Sequence, residues 1–254
     1  MNGRQALVEA AGIALRCLDL TSLNEQDGAA DIDRLCARAR GRCGDVAAVC
    51  VWPRLAAHAR RQLPAAIGVA AVANFPAGDS GVAAVLQEVQ AIAAAGAQEV
   101  DVVLPWRALL AGDDAAAVGL LQAVRAASAG LTLKVILETG ALQAPERIEH
   151  ASRLALDAGA DFLKTSTGKL PVGATLPAAE AMLRAMRGHA QAGLKLSGGL
   201  RRVAELLPYL QQVVRERGAQ ALQPRHFRIG ASSLLDDIEA LLGGSTNTAP
   251  AGDY

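Results

Sequence analysis

The residue best suited to covalent chemistry is a lysine that ends a short apolar run. Lys164 follows Phe162 and Leu163 and precedes a loop of small hydroxylated residues that ends at Gly168. On a strand, Phe162 and Lys164 would point to the same face, because side chains alternate with a period of two. Apolar surroundings favour the neutral form of an amine, and a neutral amine can attack a carbonyl carbon. The sequence therefore predicts that Lys164 is a nucleophile.

The chain uses lysine sparingly, so each lysine is informative. Lysine and arginine together number 25, and the only lysines are Lys134, Lys164, Lys169 and Lys195. Only lysine offers a titratable amine, because arginine is not deprotonated in proteins. Lys164 and Lys195 fall on neighbouring predicted strands, where each ammonium group disfavours the charge of the other. The alternatives are chance in an arginine-rich composition and, for Lys195, an exposed or salt-bridged position.

Composition and charge argue against several classes of partner. The 254 residues carry a formal net charge of zero and no basic block, which argues against nucleic acid. The N-terminus has no basic head followed by an apolar core, and no apolar run approaches the roughly 18 residues of a membrane span. We therefore expect a cytoplasmic protein that does not contact a membrane.

Neither the cysteines nor the histidines have the spacing of a metal site. Cys17, Cys36, Cys43 and Cys50 form no Cys-x-x-Cys pair, and a chain of this size needs no disulfides. The four histidines are scattered along the chain. We expect reduced thiols and no metal; the alternatives are a metal or redox role for a cysteine pair, or histidines that converge in space.

Predicted strands and helices alternate along the whole chain. The strands are predicted at 15–20, 46–51, 67–73, 99–104, 131–137, 162–164, 194–196 and 227–229, and each is followed by a helical pattern. This predicts an α/β fold, a single-domain (β/α)8 TIM barrel over residues 1–242, with a flexible C-terminal tail at 243–254. A doubly wound open sheet is the alternative, but no G-x-G-x-x-G motif follows the first strand.

Functional groups of such a barrel lie at the carboxyl ends of its strands and in the loops that follow. This rule places nine polar residues in or near the mouth: Asp19, Thr21, Cys50, Asp101, Lys134, Glu138, Lys164, Lys195 and Ser197. Glu99 and Asp101 share one strand face, and burying two acids is costly unless both have partners. We interpret Glu99 as part of a buried ion pair and Asp101, nearer the strand end, as functional.

Two loops rich in glycine and serine are suited to a phosphate group. Residues 197–199 (Ser-Gly-Gly) follow the seventh predicted strand, and residues 230–233 (Gly-Ala-Ser-Ser) follow the eighth. Each loop precedes a helix, where free backbone N–H groups and the helix dipole favour an anion. Gly168 and Lys169 could add a charge from the sixth loop. Each loop alone is an ordinary turn, but together they predict a phosphate site.

With these residues in view, the chain resembles the deoxyribose-phosphate aldolases, a family of class I aldolases that act through a lysine Schiff base. The matching stretches run almost end to end, at 18–24, 50–54, 74–76, 99–103, 133–140, 158–169, 195, 197–199 and 228–233. The stretch around Lys164 is the most specific. Trp52, Leu196 and Leu200 depart from the residues that relatives carry, but they remove no group that the reaction needs.

The resemblance implies reversible cleavage of 2-deoxy-D-ribose 5-phosphate to acetaldehyde and D-glyceraldehyde 3-phosphate, without a cofactor. It implies that Lys164 forms the Schiff base and that Asp101 and Lys195 transfer protons and tune the amine. It also implies that Tyr254 reaches the active site from the tail. The residues expected to bind the substrate or its phosphate are Asp19, Thr21, Cys50, Lys134, Thr167, Gly168, Lys169, Gly198, Gly199, Gly230, Ser232 and Ser233.

Sugar phosphates and aldehydes are the small-molecule partners that this activity requires, and a homodimer is a possible assembly. Two other functions stay open at this point. The first is a barrel that binds sugar phosphates without turning them over, and the second is a transaldolase-like or other Schiff-base aldolase. Borohydride trapping separates the first from an enzyme, and product analysis separates the second.

Overall fold

Eight parallel strands close into a barrel in a computed structural model that describes residues 3–243 of the chain. Each strand pairs with its neighbours in chain order, and the last strand pairs with the first. The strands are β1 Leu18–Thr21, β2 Ala48–Val51, β3 Gly68–Ala73, β4 Glu99–Val103, β5 Thr132–Ile136, β6 Phe162–Lys164, β7 Gly193–Ser197 and β8 Phe227–Ala231. The predicted (β/α)8 barrel is confirmed, and the alternative of an open sheet is wrong.

Helices surround the barrel and connect successive strands. They are α1 Gly3–Arg16, α2 Ala29–Arg38, α3 Pro53–Gln62, α4 Val82–Ala94, α5 Trp106–Leu110, α6 Asp114–Ala127, α7 Thr139–Leu142, α8 Pro145–Asp157, α9 Leu176–Ala185, α10 Val203–Arg217 and α11 Leu234–Gly243. A two-stranded hairpin, Arg40–Gly41 with Gly44–Asp45, follows α2, and a 3₁₀ turn, Ala219–Ala221, follows α10. Within residues 3–243 no helix has the length and apolar character that crossing a bilayer requires.

The alternation of side chains along each strand divides the buried residues into two layers. On β4, Val100 and Val102 belong to the apolar core between the strands and the helices, whereas Asp101 lies between them in sequence and faces the barrel interior. A smaller apolar cluster, which consists of Leu23, Cys50, Ala70 and Val72, lies apart from that core. The interior therefore combines an apolar group of side chains with a charged one.

The register between strands brings the charged interior residues side by side. Asp101 of β4 is level with Lys134 of β5, Lys164 of β6 with Lys195 of β7, and Lys195 with Arg228 of β8. Residues that are level in parallel strands point to the same side. Five charged side chains are thus directed into one space before any loop contributes to it.

A glycine makes room for the one aromatic ring at this level. Gly193 is level with Phe162, and a Cβ atom on Gly193 would overlap the phenyl ring. The Arg228 guanidinium carbon lies over that ring, 5.7 Å from its centroid. The buried ring therefore depends on a residue without a side chain on the adjacent strand.

The N-terminal part of the chain differs from the prediction. The first strand was expected at 15–20, but α1 continues to Arg16 and β1 covers Leu18–Thr21. The buried residues of α1 include Ala10, Ala14 and Leu15, so Leu15 completes the apolar face of a helix instead of starting a strand. The helices α1, α5 and α7, the hairpin and the 3₁₀ turn were not predicted. Of the expected tail at 243–254, only Gly243 lies within the described residues.

Candidate active site

A cavity of about 340 Å³ opens at the carboxyl ends of the strands. Lys164 reaches it from β6, and residues of the loops after β1, β6, β7 and β8 form its walls. The lining residues are Thr21, Ser22, Leu23, Asn24, Lys164, Thr167, Gly168, Lys169, Ser197, Gly198, Gly199, Leu200, Arg201, Gly230, Ala231, Ser232 and Ser233. This cavity coincides with the mouth at which the sequence places the functional groups.

Lys164 joins the cavity to the charged interior of the barrel. Its side chain is only 4% exposed, and its Nζ atom donates a hydrogen bond to Oδ2 of Asp101 at 2.8 Å. The sequence analysis expected apolar neighbours around this amine. The structure instead places the amine against the Asp101 carboxylate of β4 and beside the Lys195 side chain of the adjacent strand β7.

Asp101 accepts hydrogen bonds from three lysines at once. Its Oδ1 atom lies 2.8 Å from Lys134 Nζ, and its Oδ2 atom lies 2.8 Å from Lys164 Nζ and 2.7 Å from Lys195 Nζ. Because Lys164 and Lys195 share one oxygen, their nitrogens lie no further apart than the sum of those two distances. The two side chains face each other as the sequence analysis requires.

A second layer of charge lies below Asp101, further from the cavity. Asp19 is bonded to Lys195 at 2.5 Å and to Arg228 at 2.6 Å, while Glu99 is bonded to Arg228 at 2.9 Å and to Lys134. We call the whole group the charged cluster: Asp19, Glu99, Asp101, Lys134, Lys164, Lys195 and Arg228. Glu99 thus has the buried ion pairs that the sequence analysis assigned to it.

The charged cluster contains one more basic group than acidic groups. Its acids are Asp19, Glu99 and Asp101, and its bases are three lysines and Arg228, all of them buried. A charge buried in a medium of low dielectric constant is costly unless it is paired. The cluster is electrically balanced when one lysine is neutral.

The cluster fixes the protonation of most of its members. Burial acts to raise the pKa of Asp101, but the ammonium groups of Lys134, Lys164 and Lys195 outweigh it and hold that pKa well below its usual value. Burial acts to lower the pKa of Lys195, but Asp101 and Asp19 outweigh it and raise that pKa above its usual value. Burial also acts to lower the pKa of Lys134, but Asp101 and Glu99 outweigh it and raise that pKa. Lys134 and Lys195 are therefore permanent cations at neutral pH.

Lys164 has fewer anionic partners than the other two lysines. Its only ion pair within residues 3–243 is with Asp101, whereas Lys195 also contacts Asp19, and Lys134 also contacts Glu99 and Asp19. It is also the lysine of the cluster that lines the cavity. Of the three, Lys164 is the amine best placed to meet an incoming carbonyl carbon.

Cys50 lies beside the cluster and not on the cavity wall. Its Sγ atom is 3.9 Å from Oδ2 of Asp101, and the residue is fully buried. Burial raises the pKa of the thiol, and the negative charge of Asp101 adds to that shift. A thiol held in this state is a poor nucleophile and packs as a small apolar group.

The loop after β6 crosses the mouth towards the loop after β1. Lys169 donates from Nζ to the backbone oxygen of Leu23 at 2.7 Å, so its ammonium group lies on the rim of the cavity. Gly168 lies beside it with a φ of 77°, a conformation that favours glycine. This segment presents a cation and an accessible backbone to the cavity.

The start of α10 differs from the expected anion site. The backbone N–H groups of Arg201 and Arg202 donate to the Glu205 carboxylate, and that of Val203 donates to Asp237. These carboxylates occupy donors that an anion would otherwise use. The donors left for an anion in these loops belong to the glycines at 198 and 199, and to the residues at 232 and 233 before α11.

The structure separates the sequence-predicted residues into two groups. Thr21, Thr167, Gly168, Lys169, Gly198, Gly199, Gly230, Ser232 and Ser233 line the cavity together with Lys164. Asp19, Cys50, Asp101, Lys134 and Lys195 are fully buried beneath it. Asp19, Cys50 and Lys134 were expected to bind substrate, but their positions suit them to support the charged groups above. Tyr254 lies outside the described residues.

Sequence reasoning did not assign Arg201 or Arg228 to the site. Arg201 lines the cavity, directly after the glycine loop and Leu200, and a basic residue in that position could have been recognised. Arg228 pairs with Asp19 and Glu99 in the barrel interior. The position of Arg228 between Phe227 and Ile229 could have indicated this. Side chains alternate along a strand, so Arg228 points to the opposite face from these two apolar residues.

Comparisons with known proteins agree on one family. A family model described as DeoC/LacD family aldolase matches residues 13–240. The chain is 43% identical over 250 residues to a deoxyribose-phosphate aldolase of Agrobacterium fabrum strain C58, and the match covers 97% of this chain and 96% of the relative.

Solved structures give the same result for the fold. A crystal structure of a candidate deoxyribose-phosphate aldolase from Toxoplasma gondii ME49 superposes with a TM-score of 0.89 at 24% identity, and the match covers 97% of this chain and 99% of that one. A tetrameric deoxyribose phosphate aldolase from Aeropyrum pernix superposes with a TM-score of 0.70 at 25% identity, over 93% and 95% of the two chains. The chain belongs to the DeoC/LacD family of aldolases.

Proposed function

We propose that this chain reversibly cleaves 2-deoxy-D-ribose 5-phosphate to acetaldehyde and D-glyceraldehyde 3-phosphate through a Schiff base on Lys164. The observation that carries the proposal is the position of Lys164, whose amine lies between the cavity and the Asp101 carboxylate. The similarity to the Agrobacterium fabrum deoxyribose-phosphate aldolase over nearly the whole of both chains supports this choice of substrate.

The surplus positive charge of the cluster supplies the nucleophile. When Lys164 loses a proton, three acids remain opposite three bases, and the buried charges balance. Lys134 and Lys195 keep their protons because Asp101 and other acids stabilise their charges. The reaction uses the neutral form of the Lys164 amine as its nucleophile.

The carbon–carbon bond breaks after the amine has been converted to an iminium. The neutral nitrogen of Lys164 adds to the C1 aldehyde of the open-chain sugar, and loss of water gives the iminium. A base removes the proton of the C3 hydroxyl, the C2–C3 bond breaks, and its electron pair moves into the iminium to form an enamine. Glyceraldehyde 3-phosphate leaves; protonation of the enamine at C2 and addition of water release acetaldehyde and the free amine.

Asp101 and Lys195 are the groups that we assign to proton movement. In the free protein three ammonium groups hold the pKa of Asp101 low, against the effect of burial, so the carboxylate is a weak base. The Schiff base on Lys164 retains fewer N–H donors than an ammonium group, so one of these stabilising contacts weakens. Asp101 then becomes a better base, and the Lys195 ammonium group remains beside it to stabilise the charge.

The phosphate of the substrate would occupy the side of the cavity formed by the loops after β6, β7 and β8. Lys169 and Arg201 supply positive charge there, and the backbone at 198–199 and 232–233 supplies N–H donors. This arrangement leaves the aldehyde end of the sugar directed at Lys164. Tyr254 stays a prediction of the sequence analysis, as does the division into a barrel at 1–242 and a flexible tail at 243–254.

The assembly, the site of action and the partners also belong to this proposal. Sugar phosphates and short aldehydes are the partners that the reaction requires. The cytoplasm is the expected site of action, a homodimer is one possible assembly, and light scattering of the purified protein measures the number of subunits.

Borohydride trapping tests the proposed function directly. Acetaldehyde and borohydride are expected to convert Lys164 to an N-ethyl lysine, which peptide mass spectrometry locates. Lys164→Ala should gain no ethyl group and lose its activity, whereas the matched control Lys169→Met should still be ethylated at Lys164. A barrel that only binds sugar phosphates would trap nothing, and products other than acetaldehyde and glyceraldehyde 3-phosphate would indicate a different Schiff-base aldolase.

A further inference from the structure

Glu138 is a buried acid for which the mechanism above has no use. It lies two residues after the end of β5 with φ 56° and ψ 59°, in the left-handed region, and it is 1% exposed. Such a conformation is uncommon for a residue with a side chain and is strained. Backbone bonds from Leu137 N to Lys164 O and from Thr139 N to Thr165 O hold the segment beside the loop after β6.

Both carboxylate oxygens of Glu138 accept hydrogen bonds from a single residue. Thr167 donates its backbone N–H to Oε1 at 3.3 Å and to Oε2 at 3.4 Å, and it donates its hydroxyl to Oε2 at 2.6 Å. Burial raises the pKa of Glu138, and the bonds from Thr167 and the charge of Lys164 act against that rise. Because both hydrogen-bond donors of Thr167 point at Glu138, position 138 requires a side chain that only accepts hydrogen bonds.

The hydroxyl group of Thr167 links Glu138 to the backbone of Lys169. Since its hydrogen is directed at Glu138, its lone pairs face the other way, and the backbone N–H of Lys169 donates to them at 3.1 Å. The Lys169 ammonium group is then held by the Leu23 backbone oxygen across the mouth. We call residues 167–169 the phosphate arm. Both ends of the arm are fixed, one by Glu138 and the other by the loop after β1.

Glu138 does not touch the cavity, although all three residues of the phosphate arm line it. We propose that Glu138 is a positioning residue that sets the phosphate arm and thereby confers preference for a phosphorylated substrate over the same sugar without phosphate. The identity of the sugar in this inference rests on the proposed function. The role of Glu138 rests on the geometry of the phosphate arm.

The test compares two substrates, 2-deoxy-D-ribose 5-phosphate and 2-deoxy-D-ribose, in Glu138→Gln. A glutamine amide has one acceptor oxygen in place of two, so its NH2 group must face one of the two Thr167 donors, and the contact that holds the phosphate arm is weakened. We expect KM for the phosphorylated sugar to rise about tenfold with kcat within about twofold, because hydrogen bonds to a charged group are lost from binding alone. For the sugar without phosphate, kcat/KM should change by less than about twofold.

Thr167 supplies the matched variants. Thr167→Val removes the hydroxyl and should reproduce the effect of Glu138→Gln, whereas Thr167→Ser keeps the hydroxyl and should lose less than Thr167→Val. The double variant Glu138→Gln/Thr167→Val should lose no more than either single variant, because both act through one contact. Equal losses on both sugars, or additive losses in the double variant, would overturn the inference.

Binding of inorganic phosphate separates this inference from the proposed function. Calorimetry should show phosphate binding about tenfold weaker in Glu138→Gln than in the unmodified protein. If the unmodified protein failed to cleave either sugar but phosphate binding weakened in this way, the proposed function would fail and the role of Glu138 would stand. An unchanged dissociation constant for phosphate would refute that role even in an active aldolase.

Discussion

Lys195 is the residue whose charge decides whether Lys164 carries the surplus proton of the cluster. It contacts Asp19 and Asp101 together, and its removal would leave three acids opposite three bases with Lys164 still protonated. In Lys195→Leu we expect kcat/KM at pH 7 to fall by about 10²-fold or more, the range of a lost proton-transfer group. We also expect the rising limb of the pH–rate profile to move to higher pH, because Lys164 must then be deprotonated against the charge balance.

The measurement is a pH–rate profile, with thermal unfolding to establish that the variant is folded. Lys134→Met is the comparison, because Lys134 also contacts Asp101. This change also removes one cation of the charged cluster, so the rising limb should move in the same direction, but without the loss of a proton-transfer group. A Lys195→Leu protein with full activity at pH 7 and an unshifted profile would contradict the charge-balance argument.

Individual residues of the site differ in how far the sequence could predict them. Lys164 and Asp101 stand out because an ionisable side chain within an apolar strand calls for an explanation. The sharing of Asp101 among three lysines could not be predicted, since Lys134 and Lys195 come from separate strands and meet only when the barrel closes. For the same reason, the sequence predicts apolar surroundings for Lys164, whereas the structure shows ionic ones.

The packing of β6 against β7 depends on one small residue. A methyl group on Gly193 would overlap the Phe162 ring, which is 3% exposed. We expect Gly193→Ala to lower the free energy of unfolding by about 1–3 kcal/mol, the usual cost of overfilling a packed interior. Urea unfolding followed by circular dichroism measures the change.

Gly119 is the matched control on a helix. It lies on α6, and a Cβ atom there would meet nothing within 4 Å. Gly119→Ala is expected to raise the free energy of unfolding by about 0.5–1 kcal/mol, because alanine loses less backbone freedom than glycine in a helix. A stabilising Gly193→Ala would contradict the assignment of the Phe162 ring to that space.

Most elements could be predicted from alternation and turn residues, and the exceptions have physical causes. The run at 15–20 is continuous enough to fit a strand or a buried helix, and periodicity alone cannot distinguish the two. Helix α7 has only four residues, and it begins after Glu138, whose left-handed backbone no residue pattern indicates. The sequence predicts an anion site at the start of α10, where the structure has two carboxylates: Glu205, a local cap that its spacing from Arg202 could have indicated, and Asp237, whose contact is tertiary.

For the whole molecule, the charged cluster makes stability depend on pH at both extremes. Burial opposes the ionised form of Asp19, but Lys195, Arg228 and Lys134 outweigh it and lower its pKa, as the lysines do for Asp101. An unfolded chain therefore takes up protons on these carboxyls at a higher pH than the folded chain. Their contribution is complete above the unfolded pKa of about 3.9 and is lost as the pH falls further.

The lysines make the stability of the fold depend on pH in the opposite direction. The pKa values of Lys134 and Lys195 are raised in the fold, because Asp101 and the other acids outweigh burial. Their contribution is complete below the unfolded pKa of about 10.4 and is lost as the pH rises beyond it. Urea unfolding at a series of pH values should give a plateau around neutrality with a decline on each side. A flat profile from pH 7 to pH 3 would show that the ion pairs contribute nothing to the folded state.

The contact between Arg228 and Asp19 joins the last strand of the barrel to the first, and it has a consequence for synthesis on the ribosome. The β1 carboxylate emerges early, and the guanidinium group that neutralises it emerges only when the final strand has been translated. Until then Asp19 lacks its bond to Arg228, and the barrel that holds Asp19, Asp101 and Lys195 together is not closed. A nascent chain cut short before β8 is therefore expected to be catalytically silent, so that no reactive amine is displayed by an incomplete polypeptide.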